Sequence, residues 1–190
     1  MIMLGNKEKF KMTVFDTALI GIMIAVIEVC KFVMAPLPNI ELTSFWLIMF
    51  TLYFDKRVYF VVPALIIIEG AVFGFGLWWI MYLYAWPLLV IVTTIFKKSQ
   101  SAVTFSLISG IFGLCFGLMC SVPYVFINTT GTDFANGIRA AFAWWVAGIP
   151  FDLLHGGGNF ILMMILYTPV SKVMKKTNQK ILTKQTKPQV

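Results

Sequence analysis

Charge is scarce in this sequence. Only 12% of its 190 residues are Asp, Glu, Lys or Arg, against about 25% in an ordinary soluble domain. There is one histidine, which leaves little scope for a metal site, and no His-Glu-x-x-His motif is present. The three cysteines (Cys30, Cys115 and Cys120) are odd in number, lack metal-ligand spacing and fall in apolar stretches, so they read as small core residues. No G-x-x-x-x-G-K-S/T phosphate loop appears, which excludes ATP binding of that kind. No G-x-S-x-G nucleophile motif appears either. An Asp–His pair exists without a nucleophile spaced to it, so no enzyme is expected.

What the chain does have is apolar length. Hydrophobic residues make up 59% of it and its mean hydropathy is +0.87. The expectation is an all-α integral membrane protein. At about 20 residues per crossing, one domain over 1–190 accommodates six transmembrane helices, near 14–34, 41–54, 58–74, 77–96, 102–128 and 138–170. The second is short for a full crossing. Residues 171–190 read as a basic cytoplasmic tail that frays. The charged start of the chain runs into a full-length apolar stretch without a small-residue cleavage site, so helix one reads as retained.

The cations are distributed unevenly. Lys7, Lys9 and Lys11 precede helix one, Lys56 and Arg57 separate helices two and three, and Lys97 and Lys98 separate four and five. Lys172, Lys175, Lys176, Lys180, Lys184 and Lys187 follow helix six, making 13 of 15 cationic residues on one side of a six-helix topology. The positive-inside rule then places both termini in the cytoplasm. The net charge of +7 is thus a signal of topology in a lipid bilayer, and nucleic acid is not an expected partner.

Ionisable residues inside apolar helices are costly and normally face a bundle interior or a wet cavity. Glu28 and Lys31 are spaced to pair at i, i+3, and Glu69 lies near the outer end of helix three. In GIPFDLLHGGGNF (148–160), Asp152, His155 and Asn159 share one helical face. Two readings stand for these three: a structural network in which Asp152 pairs with Lys31 or accepts from His155, or the wall of a binding site. Glu28 and Glu69 lean towards ligand contact. Gly156, Gly157 and Gly158 mark a close helix crossing or a local break, and Pro150 permits a kink.

Aromatic residues gather in GFGLWWIMYLYAWP, where Trp79, Tyr82 and Trp86 fall on one face; Trp78 stands beside them, and Trp144 and Trp145 open helix six. They form either an interfacial belt or a stacking wall for a flat organic ligand. On helix one, Ala18, Gly21 and Ala25 make a small-residue face, suited to packing inside the bundle or to docking a second membrane protein.

Together with "PLPNIEL" at 36–42 and "GIPFDLLHGGGNF", these features resemble the substrate-binding S component of energy-coupling factor (ECF) vitamin transporters. The resemblance implies a multi-pass protein of the bacterial cell membrane that binds a vitamin near the outer face. It implies no ATPase and no cofactor in this chain: ATP would be bound by two cytoplasmic partner subunits, acting through a membrane coupling subunit docked on helix one at Ala18, Gly21 and Ala25. The substrate-binding set it implies is Glu28, Lys31, Asn39, Glu41, Glu69, Trp79, Tyr82, Trp86, Trp145, Asp152, His155 and Asn159. The pattern is most similar to cobalamin-type S components, while the tryptophans also suit a pyridine, pterin or flavin ring. The alternative is a self-sufficient secondary transporter coupled to protons or sodium through Glu28, Glu69 or Asp152.

Overall fold

The computed structural model describes residues 12–127 and 133–186, and every regular element among them is helical. In chain order these are α1 (Val14–Met34), α2 (Thr43–Tyr53), a short 3-10 turn at Asp55–Arg57, α3 (Val58–Phe73), α4 (Leu77–Ile95), α5 (Ala102–Leu114), α6 (Phe116–Ile127) and α7 (Phe134–Thr186). Lys7, Lys9, Lys11 and Lys187, used above for orientation, lie outside the described residues.

Four segments are long and apolar enough to cross a membrane: α1, α4, the α5–α6 pair and α7. Of the six expected crossings, four thus meet the length for one, and α2 and α3 are shorter apolar helices. The 11 residues of α2 extend only about 17 Å and the 16 of α3 about 24 Å, both short of a hydrocarbon core of about 30 Å. Burial explains how α2 persists: Thr43, Ser44, Phe45 and Leu47–Thr51 are all buried, so α2 is wrapped by its neighbours. Around it the core gathers Met23, Ile27, Leu65, Met81, Trp86, Leu89, Phe105 and Met163. Large apolar side chains such as Val14, Val33, Ile95 and Phe126 instead point outward, as a lipid-facing surface requires.

Two boundaries depart from the sequence expectation. The fifth helix, expected unbroken over 102–128, is interrupted at Cys115, where α5 gives way to α6. The sixth, expected over 138–170 with a fraying tail, is one 53-residue helix reaching Thr186, roughly 80 Å long. It runs without interruption through Pro150, Gly156–Gly158 and Pro169, so the glycines produce no break.

The glycines act through packing. A Cβ on Gly113 would lie 2.8 Å from the Cα of Gly156, and one on Gly156 would lie 2.9 Å from the Gly110 carbonyl oxygen. Here backbone touches backbone. Gly157 has nothing within 4 Å of such an atom, and Gly158 faces Ile40 at 3.4 Å, an ordinary contact. Of the three consecutive glycines, the close crossing needs only Gly156. Its counterparts, Gly110 and Gly113 in SGIFGLCFG, escaped the sequence reading although a spacing of three puts them on one helix face.

The opposite end of α1 is latched. Thr13 caps the helix and exchanges hydrogen bonds with Asp16 in a capping box. Buried Asp16 also accepts from Arg57 Nε at 2.7 Å, which ties the start of α1 to the turn before α3.

Candidate functional site

The chain between α1 and α2 makes two successive turns, closed by Leu37 N–H donating to Met34 O (2.8 Å) and Ile40 N–H to Leu37 O (3.3 Å). Asn39 holds the left-handed conformation at φ 57°, a position asparagine tolerates better than most residues. This folded connection brings Asn39, Ile40 and Glu41 together with the ends of α1, α3, α4 and α6 and the middle of α7. Beneath it lies a cavity of about 510 Å³, lined by Lys31, Asn39, Glu41, Glu69, Tyr82 and His155, with Phe32, Phe73, Trp78 and Phe116 as aromatic walls.

Six of the expected binding residues thus meet in one space: Lys31, Asn39, Glu41, Glu69, Tyr82 and His155. The sequence reading missed Phe32, Phe73 and Phe116. Trp78, left undecided between belt and wall, lines the cavity.

Lys31 pairs with Glu69 across the α1–α3 contact, not with Glu28 one turn away as its spacing implied. Its ammonium also stands 5.2 Å from the Phe73 ring centre and 5.8 Å from that of Tyr82, within range of a cation–π attraction. Among the described residues only one oxygen of Glu69 is used: Oε2 is buried and accepts no hydrogen bond from them. Glu41 accepts from the Thr43 hydroxyl at 3.2 Å through Oε2. Its Oε1 lies 3.8 Å from His155 Nε2, beyond hydrogen-bonding distance, and that nitrogen has no partner among the described residues. The imidazole meets Phe116 edge to face, centroids 4.6 Å apart. The cavity therefore presents polar atoms at fixed positions that the protein leaves unused.

The remaining expected residues lie outside the lining. Asp152 accepts the Gly117 N–H at 2.8 Å. The break at Cys115 leaves Gly117 in the first turn of α6, where N–H groups lack intrahelical acceptors; Asp152 supplies one from another helix. Its partner is thus a backbone N–H in place of Lys31 or His155, and its Oδ2 is buried without a hydrogen bond among the described residues. Asn159 is buried and extends its amide towards Ser44 Oγ (3.4 Å) and the Ser109 carbonyl (3.5 Å), joining α7 to α2 and α5. Trp79 donates to the Ile66 carbonyl at 2.7 Å and so closes α4 onto α3. Trp86 sits behind the cavity wall, 5.1 Å from Tyr82 and 5.9 Å from Phe116 between ring centres. Trp145 packs on Phe142. Both carboxylate oxygens of Glu28 are buried without a hydrogen bond among the described residues.

On the far side of α1, Ala18, Gly21 and Ala25 are exposed, and a Cβ on Gly21 would meet nothing within 4 Å. A second concavity of about 450 Å³ between α4 and α5–α6 is lined by apolar groups such as Leu88, Leu107 and Ile111 and carries no charged side chain. Comparison of the chain with protein-family models, with curated proteins and with solved structures returns no match.

Proposed function

We propose that this chain is the substrate-binding membrane subunit of an ECF-type vitamin importer, embedded in a bacterial cell membrane with both termini in the cytoplasm. The observation that carries this reading is the cavity. The two segments with the family resemblance, 36–42 and 148–160, converge on it through Asn39, Glu41 and His155. Its unused polar atoms at Glu69 and His155 are what a ligand would satisfy, because buried polar groups normally have partners. A volume of about 510 Å³ falls in the range of about 300–1,000 Å³ typical of sites for drug-sized ligands. That favours a compact ring of the pyridine, pterin or flavin kind over the much larger corrinoid of cobalamin.

The exposed Ala18–Gly21–Ala25 face would dock the membrane coupling subunit, which relays the work of two cytoplasmic ATPases. Gly21→Leu is expected to leave ligand binding and thermal stability unchanged but to abolish uptake in cells carrying the coupling module. Unimpaired uptake would remove the docking assignment.

The direct test is mass spectrometry of small molecules released from the purified, detergent-solubilised chain, expressed without partners. A stoichiometric vitamin-like mass supports the reading. A second reading, a self-sufficient secondary transporter, draws on Glu28, a buried carboxylate without a hydrogen bond inside an apolar helix. Solute uptake by the chain alone in liposomes, driven by a proton or sodium gradient, would favour it.

A further inference from the structure

The cavity lining holds two carboxylates, Glu41 and Glu69, against one ammonium, Lys31. That ammonium is already engaged by Glu69 Oε1. Glu69 is 1% exposed and His155 5%, and the unpartnered atoms Glu69 Oε2 and His155 Nε2 belong to side chains that line the cavity. Glu28 adds a third carboxylate in electrostatic contact with both Glu69 and Lys31. The unused carboxylate oxygens are acceptors when ionised. In the tautomer protonated at Nδ1, His155 Nε2 is one as well, so a single N–H placed in the 3.8 Å gap to Glu41 Oε1 would serve both. Phe32, Phe73, Trp78, Tyr82 and Phe116 line this space, and aromatic faces are electron-rich and attract cations.

We infer that the cavity takes a compact organic cation: a flat ring carrying a protonated amine, its ring against Trp78 and Phe116 and its N–H groups directed at Glu41, Glu69 and His155. An anionic ligand would meet two lining carboxylates against one ammonium that is already paired. This assignment rests on the binding-subunit reading and adds the charge class of the substrate to it.

The test uses three probes that share one ring and differ in charge: pyridoxamine, with a protonated aminomethyl group, pyridoxine, without it, and 4-pyridoxate, with a carboxylate in its place. Binding to the purified full chain is followed at neutral pH by calorimetry and tryptophan fluorescence. The expected order is pyridoxamine, then pyridoxine, then 4-pyridoxate, with about tenfold or more between first and last. Glu69→Gln should narrow that gap. Because this variant disturbs the pair with Lys31, Glu41→Gln, which leaves the pair intact, should narrow it too.

Equal affinities, or tightest binding of 4-pyridoxate, would overturn the cation assignment and leave a binding subunit standing. If no probe binds, the charge of the molecule released for mass spectrometry decides: a cation upholds the inference, while a neutral or anionic molecule overturns it. No binding together with an empty chain would end both readings.

Discussion

Where α7 crosses α5, backbone meets backbone across Gly110, Gly113 and Gly156; where α1 crosses α3, long side chains meet across the Lys31–Glu69 ion pair. On the first side Asp152 reaches Gly117 and Asn159 reaches Ser44 and Ser109, while Asp152 Oδ2 and Ser109 Oγ make no hydrogen bond among the described residues. On the second side the same holds for both oxygens of Glu28 and for one of Glu69. Where helices pack in an apolar surrounding, close backbone approach supplies much of the glue between them. The two sides thus differ in packing: the glycine side is held by backbone against backbone, and the α1–α3 side, next to the cavity, by side chains.

The largest effect expected from breaking this contrast is at the glycine crossing. Gly113→Ala should lower stability by about 1–3 kcal/mol or more, since the new methyl group meets backbone that has nowhere to go. Gly157→Ala, which enters open space, should be neutral or slightly stabilising through helix propensity. Thermal unfolding in detergent compares the two; equal midpoints would remove the crossing as the source of rigidity.

Next comes the carboxylate that caps α6. Asp152→Ala strands the buried Gly117 N–H and should cost about 1–3 kcal/mol. Asp152→Asn keeps an acceptor oxygen and should recover part of the loss. If alanine and asparagine behave alike in the same unfolding assay, the hydrogen bond is not what Asp152 contributes.

The smallest effect separates two adjacent tryptophans. Trp78→Ala should weaken ligand binding by about three- to tenfold with little change in unfolding temperature, because Trp78 lines the cavity. Trp79→Ala should do the reverse and lose about 1 kcal/mol of stability with its bond to the Ile66 carbonyl. Titration and unfolding on both variants would expose any exchange of roles.

Hydropathy periods made α1 legible to the residue, at Val14–Met34, and brought α2, α3 and α4 within two residues of their observed ends, because long apolar runs bounded by charge or glycine have few other ways to fold. The break at Cys115 was not legible. It depends on an acceptor, Asp152, that lies 35 residues away from Gly117, and no local signal reports such a partner. The length of α7 was missed for a related reason: a lysine-rich segment reads as tail unless something packs against it, and Ile181 is in fact buried against the core. In the candidate site, the titratable residues were legible because charge in an apolar helix is conspicuous. Which aromatic side chains face the cavity was not, since adjacent residues such as Trp78 and Trp79 are separated only by the rotation of α4 against α3.

The 53 residues of α7 also make it a rigid connection. His155 stands in the cavity wall, and Thr186 closes the same helix about 46 Å further on. Tyr167 and Ile181 hold that stretch against the core, while Lys172, Lys175, Lys176 and Lys180 are exposed along it. One continuous element therefore joins the cavity wall to a band of cations.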